Sequence, residues 1–430
     1  MCRVARGKSG LGDSARKHGL GDDYHLVEKG MTTLQLHEFH QGLGARFTEV
    51  NGSEAVNDYG DAPTEHAAVL GAAGAFDLSF RGRICLTGAD RVRFLNGQVT
   101  NNVKDLRAGE GCYAALVTAK GKLQSDLNIY CLPNELLLDF EPGLTDTIIQ
   151  RLEKYVIADD VQMTDVGPLY GLLSVQGPKA EEGVRSLCLK SENREGATSP
   201  RPSPPRRGGE GEERGGGFSS SEETKVSGDA ADIPTKPMGF STINDATLGE
   251  IYVMNRARTG SGGFDLFVPV ASLGAVMDKL IAAAKQAGGR ACGWRALEMA
   301  RIEAGIPRFG VDMDENNLAP ETGIESGAIS YTKGCYIGQE VIARIRTYGN
   351  VAKALRRLRL ADDLKELPRK GDKLYRDGKE AGYITSAVAS PALKANIALG
   401  YVRKEANQPG TELILRKADG ESAVRILEAP

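Results

Sequence analysis

Hydrophobic and polar positions change their period several times along this 430-residue chain. After Pro63, the run TEHAAVLGAAGAF (64–76) has helical spacing behind Thr64, a residue suited to capping. GRICLTG (82–88) reads as a short strand, and ADRVRFLNGQV (89–99) as a helix with Val92 and Leu95 on one face. Two strands follow, CYAALVT (112–118) and LQSDLNIYCL (123–132). Ala119-Lys120-Gly121-Lys122 joins them as a hairpin turn.

Alternation along the second of these strands sorts its residues onto two faces. Leu123, Ser125, Leu127, Ile129 and Cys131 point one way; Gln124, Asp126, Asn128 and Tyr130 point the other. Asp126 and Tyr130 then share a polar face, about 13 Å apart at ~3.3 Å per residue. On pattern alone, a solvated sheet face is the simpler account of that face.

GLTDTIIQRLEKYV (143–156) is an amphipathic helix. LYGLLSVQGPKAEEGVRSL (169–187) repeats the strand, glycine, helix rhythm of GRICLTGADRVRFL, a weak echo of an internal duplication. Residues 190–236 are rich in Pro, Gly, Ser and mixed charge and predict a disordered insertion. Strands GEIYVMN and FDLFVPV follow, then a helix from Leu273 that stops at Gly288 or Gly289, and another, GWRALEMARIEAG. The irregular stretch 306–328 is long enough to suggest function rather than filler. Beyond Lys353, six short strand-like runs between turns predict a small separate barrel.

Composition narrows the chemistry. The net charge is −3 and the apolar share 41%, so no global field calls for nucleic acid, and no apolar run is long enough for a membrane span. Seven cysteines without CxxC spacing suit a reducing compartment, and a cytoplasmic location is expected. The charged, glycine-rich residues 1–30 are expected to form a disordered tail before a domain start at Met31. All five histidines fall in the first 66 residues, which disfavours a Ser-His-Asp or Cys-His centre in the body of the chain. His37 and His40 lack the partners of a metal site, so no metal ligand is assigned.

KGCYIGQEVIARIR (333–346) sets Cys335 between Lys333 and Gln339-Glu340, with glycines at 334 and 338. A cation lowers a thiol's pKa without any imidazole, and Lys333, Arg344 and Arg346 are near in sequence. The alternative is a small buried residue at a helix start. Arg356, Arg357 and Arg359 read either as the wet face of a barrel strand or as contacts to a polyanion. No aromatics interleave with them, so nucleic acid is the weaker choice. Arg301 has the fork to grip a carboxylate, against a surface pair with Glu298. RTGSGGF (258–264) reads as a hairpin turn.

These stretches together resemble a known family. GAFDLSFRGRICLTGADRVRFLNGQVTNNVKDLRAGEGCYAALVTAKGKLQSDLNIY is similar to the opening domain of the glycine-cleavage T-protein (aminomethyltransferase), and RIEAGIPRFG and ALGYV match later parts of that superfamily. KGCYIGQE resembles the hallmark of its YgfZ-type branch, folate-binding proteins implicated in making or repairing iron–sulfur clusters. The resemblance implies an α+β fold of three domains in a ring. Its N-terminal and middle domains (31–160 and 161–350) would be ferredoxin-like or α+β, and a small β-barrel would cover 351–430. It also implies tetrahydrofolate, or a one-carbon derivative, at the central opening.

By the same resemblance, Asp126 contacts the folate and Tyr113 and Tyr130 line its site, which reverses the solvated reading of that face. Arg301, Lys333, Gly334, Gln339, Glu340 and Arg344 are assigned to the anionic cofactor. Cys335, with Asp126, carries the chemistry, beside the folate or in transient contact with a cluster or its carrier or client protein. The T-protein's Gly-Glu-Asp-Gly run is replaced by GSGGFD, leaving open whether Asp265 substitutes. Its DxSHMG reads Asp77-Leu78-Ser79-Phe80-Arg81-Gly82. These departures favour the YgfZ-type branch; a tetrahydrofolate-dependent aminomethyltransferase is the alternative.

Overall fold

The computed structural model describes residues 31–188, 233–349, 351–417 and 420–428. The expected tail at 1–30 and nearly all of the 190–236 insertion lie outside the described residues.

The N-terminal part runs α1 (His37–Gly42), β1 (Arg46–Val50), β2 (Ser53–Asp58), α2 (Ala62–Gly71), β3 (Gly74–Asp77), β4 (Gly82–Thr87), α3 (Arg91–Gln98), β5 (Glu110–Val117), β6 (Leu123–Cys131), β7 (Leu136–Phe140), α4 (Thr145–Glu153) and β8 (Gln162–Asp165). The middle part adds β9 (Tyr170–Gln176), α5 (Ala180–Cys188), β10 (Phe240–Asp245), β11 (Gly249–Asn255), β12 (Gly263–Pro269), α6 (Leu273–Gln286), β13 (Arg290–Ala291), α7 (Trp294–Glu303), α8 (Glu325–Ala328) and α9 (Gln339–Tyr348).

Two sheets result. One has the order β5-β6-β7-β4-β8, the other β10-β11-β12-β9-β3-β13. β3 comes from the N-terminal part, yet pairs with β9 and, in parallel, with β13. The helix expected over 64–76 therefore stops at Gly71, and its last residues are strand. Its cap is Asp61, whose side chain accepts from Thr64 N at 3.1 Å.

Alternation assigns the core to layers. Leu127 and Ile129 of β6 and Leu136 and Leu138 of β7 pack against α3 and α4 through Phe94, Leu95, Ile148 and Leu152. The opposite face of that sheet, with Cys85, Tyr130 and Leu137, packs against Phe76, Leu172, Tyr252 and Phe267 of the second sheet. The second sheet's other face is covered by α5 and α6. Helices thus flank two stacked sheets, and the polar face of β6 is turned inward between them rather than to solvent.

The alternation slips at one place. β5 and β6 are in register from Glu110↔Cys131 to Leu116↔Ser125, after which Val117 pairs with Leu123. This bulge moves Leu123 onto the Asp126 face, where it joins Val117, Ile324 and Tyr336 in a separate cluster.

The third domain is a closed barrel, β14-β17-β16-β15-β18-β19. Its strands are β14 (Lys353–Leu360), β15 (Lys373–Arg376), β16 (Lys379–Ser390), β17 (Ala395–Arg403), β18 (Glu412–Lys417) and β19 (Gly420–Ile426), one for each of the six runs seen in the sequence. Ile302 of α7 seats on Leu355, Leu399 and Tyr401. Among the described residues no helix is long and apolar enough to cross a membrane.

Candidate functional site

Where the inter-sheet face turns from apolar to polar, it opens into a cavity of about 220 Å³. Tyr113 of β5 and Asp126 and Asn128 of β6 line one side; Arg256, Trp294 and Arg301 line another. Cross-strand pairing sets Tyr113 opposite Asn128 and Ala115 opposite Asp126, so these side chains emerge on one face.

Charge around the cavity is organised by arginines. Arg81 donates to Asp139 at 2.7 Å and also pairs with Glu141. Arg258 bridges Asp139 at 2.9 Å and Asp265 at 2.6 Å. Burial alone would raise the Asp139 carboxyl, yet Arg81 and Arg258 hold it well below the usual range. Arg308 pairs with Glu298 and Glu141, and its guanidinium lies 4.9 Å from the Trp294 ring centre.

Asp126 differs from its neighbours. Its Oδ2 accepts from the Tyr113 hydroxyl at 2.8 Å, while Oδ1 is buried with no hydrogen-bond partner. Burial, then the negative Glu141, raise its pKa; the Tyr113 bond and Arg81 oppose them. Asn128 Oδ1 and Arg256 Nε are also buried and unpartnered. An unmet buried donor or acceptor costs ~1–3 kcal/mol, so three on or beside one cavity point to a polar ligand.

Tyr113, Asp126 and Arg301, all assigned from the sequence, line this cavity. Arg301 does so with its fork occupied. Nε and Nη2 grip Glu298 at 2.7 and 2.8 Å, and Nη1 donates to Asp312 at 2.6 Å. Asp312 in turn accepts from the Thr385 and Ser386 hydroxyls of the barrel, so Arg301 ties α7 to the third domain. Tyr130 is absent from the lining. It is fully buried, its ring edge-on to Phe240 and Phe267. Asp265 is fully buried as well, held by Arg258 and by the Ser174 hydroxyl at 2.8 Å, and does not take the place of the missing glutamate at the cavity wall.

The KGCYIGQE residues lie elsewhere. Lys333 Nζ donates to the carbonyls of Asn96, Val99 and Asn101, the last two at 2.7 and 2.8 Å. It caps the C-terminal end of α3 and ties the loop to it, and burial pulls its pKa down to about 8. Cys335 is exposed and does not line the cavity. Glu340 and Arg344 pair with each other at 2.8 Å on the exposed side of α9, and Gln339 begins that helix.

The two glycines of the motif behave differently. Gly338 has φ +85°, and a Cβ there would meet Thr118 O at 2.5 Å; around Gly334 the space is open. We expect Gly338→Ala to destabilise the protein by ~1–3 kcal/mol and Gly334→Ala to fall within ~0.5 kcal/mol, read from urea midpoints.

The basic run is likewise committed to structure. Arg357 donates to Glu303 O at 2.8 Å, Arg356 to Asn407 O at 2.9 Å, and Arg359 pairs with Asp362. The three histidines among the described residues serve carboxylates: His37 meets Glu54, His66 meets Glu303, and buried His40 lies between Asp77 and the Tyr59 hydroxyl. Among the described residues no group of three or more His, Cys, Asp or Glu is placed to hold a metal ion.

Sequence reasoning missed Asn128, Asp139, Glu141, Arg256, Arg258 and Trp294 as site residues. The Leu-Leu-Leu-Asp-Phe-Glu run of 136–141 is a short apolar run carrying two acids, and it would have flagged β7.

The chain matches the GCVT N-terminal domain over 36–197 and 222–332, and the Glycine cleavage T-protein C-terminal barrel domain over 353–430. An aminomethyltransferase of Corynebacterium jeikeium is 28% identical over 388 residues, covering 88% of this chain and 92% of that one. Another, of Halalkalibacterium halodurans, is 27% identical, covering 93% and 98%. The crystal structure of glycine cleavage system aminomethyltransferase T from Bartonella henselae superimposes with a TM-score of 0.75 at 19% identity, covering 93% of this chain and 98% of that chain, a likeness of fold. Sheets, barrel and sequence agree, and this chain belongs to the glycine-cleavage T-protein family.

Proposed function

We propose that this chain is a tetrahydrofolate-binding protein of the YgfZ-type branch, with the pterin ring beside Asp126. The observation that carries the reading is Asp126 Oδ1, a buried acceptor without a partner in a polar cavity. A reduced pterin offers ring N–H and amino donors to such an acceptor. At about 220 Å³ the cavity is smaller than the ~300–1,000 Å³ of common small-molecule clefts. It suits a bicyclic ring with the glutamate tail outside. Trp294 and Leu297 supply apolar wall, and Asp126 supplies the polar anchor.

Cys335 belongs to a second surface in this reading. It is exposed, on a loop anchored by Lys333, Tyr336 and Gly338, where a carrier or client protein has access to it. Any iron–sulfur cluster is then cargo held by the partner, since Cys335 has no companion ligands among the described residues. Cytoplasmic location remains part of the proposal.

A second reading, aminomethyl transfer to tetrahydrofolate, draws on the similarity to aminomethyltransferases and on the same Asp126. One experiment separates the two. The purified protein is given tetrahydrofolate and an aminomethyl-loaded lipoyl carrier, and methylene-tetrahydrofolate is assayed. Binding without turnover, together with lowered aconitase activity in cells carrying only Cys335→Ser, is expected for the first reading. Steady product formation establishes the second.

A further inference from the structure

Five arginines line the cavity: Arg81, Arg256, Arg258, Arg301 and Arg308. Among the described residues four of them are ion-paired, each to two carboxylates. Arg256 is paired to none. Its Nη1 donates to the neighbouring Ala257 carbonyl at 3.0 Å, its Nε is buried without a partner, and its guanidinium carbon lies 5.5 Å from the Tyr113 ring centre. Tyr113 is the residue that holds Asp126. One uncommitted donor therefore flanks the Tyr113–Asp126 pair, whose own free atom is an acceptor.

We propose that Arg256 determines ligand specificity by donating to an acceptor atom adjacent to the ring N–H that Asp126 receives. This rests on the folate reading above and adds to it the edge of the ring that is recognised. A carboxylate alone accepts from any N–H or amino group. A carboxylate beside a guanidinium selects an edge with a donor and an acceptor side by side, the N–H and C=O of a lactam. The 2-amino-4-oxo edge of a pterin carries that pair. A 2,4-diamino ring carries an amino donor where the C=O stood and no hydrogen on the adjacent ring nitrogen, so it faces Arg256 donor to donor and offers Asp126 only its amino groups. A site built to hydrogen-bond a ligand group discriminates strongly against an analogue lacking it, because the protein's own group is left unpaired.

The test compares tetrahydrofolate with its 4-amino counterpart by titration calorimetry on wild type, Arg256→Leu and Arg256→Lys. Wild type is expected to prefer the 4-oxo ligand by ~10-fold or more. Arg256→Leu is expected to lower that ratio by ~3-fold or more, the remainder reflecting the ring N–H that Asp126 receives, and Arg256→Lys, which keeps a donor, to restore part of it. A merely structural role for Arg256 would weaken both ligands alike and leave the ratio unchanged. The proposal is overturned if Arg256→Leu keeps the wild-type ratio, or if wild type binds both ligands equally. If wild type binds neither, the folate reading falls and this proposal with it. Should Arg256→Leu melt below the assay temperature, Arg256→Gln, which retains a donor amide, is compared with Arg256→Met in the same ratio.

Discussion

Asp126→Ala is expected to weaken tetrahydrofolate binding by ~100-fold or more in titration calorimetry, the equivalent of ~3 kcal/mol. The loss has two sources. The acceptor for the ligand's N–H disappears, and the Tyr113 hydroxyl, which donates to Asp126 at 2.8 Å, loses its partner. Asp126→Asn keeps the shape but presents one oxygen in place of two, and should fall between wild type and alanine. Unchanged affinity in the alanine variant removes Asp126 from the site.

The pH dependence has a definite sign. Burial and Glu141 raise the Asp126 pKa above its ordinary value of ~3.9. The carboxylate form accepts from the ligand, so affinity should fall as pH drops through that raised value, and Asp126→Asn should flatten the curve. Folding runs the other way. The folded state binds the Asp126 proton more tightly than the unfolded chain, so this group's contribution to stability is present at low pH. It is lost as pH rises through the raised value.

Arg81→Met is expected to cost ~3–5 kcal/mol in urea denaturation, the largest stability effect among these substitutions. Arg81 is buried and lies between Asp139 and Glu141. Removing it leaves Asp139 to Arg258 and Glu141 to the longer contact with Arg308 at 3.4 Å. Pairing the change with Glu141→Gln should recover part of the loss, because one uncompensated charge is then gone. A full additive loss in the double variant would mean that Arg81 acts by packing alone. Asp139, held low by its arginines, contributes stability above its unfolded pKa that disappears as pH falls toward its depressed one.

Arg81 occupies the fifth position of the Asp77–Gly82 run, where the T-protein pattern has methionine. That departure was visible in the sequence, though its consequence was not. An arginine in a one-dimensional string gives no sign of which carboxylates will surround it. Asp139 and Glu141 lie on a strand whose chemistry went unread, and Arg258 arrives from the second sheet. The hairpin of β1 and β2 was a different kind of miss. Its Asn51-Gly52 turn, with φ of 49° and 78°, is a strong local signal for a two-residue hairpin.

Local information was sufficient wherever a short period or a turn decides the outcome. The six barrel strands, the β5–β6 hairpin, the helices at 273 and 294, and the placing of Asp126, Asn128 and Tyr130 on one face all follow from spacing of two or 3.6 residues. Family resemblance added the architecture and the folate expectation. Folding settled what that face meets. Its Tyr130 end is sealed by Phe240 and Phe267, which reach it from the opposing sheet more than a hundred positions along the chain, while its Asp126 end stays open. The same holds for Lys333, close to Cys335 in sequence yet spent on the carbonyls at the end of a helix 234 positions back. Periodicity is a property of neighbours along the chain, whereas burial and charge pairing depend on neighbours in space.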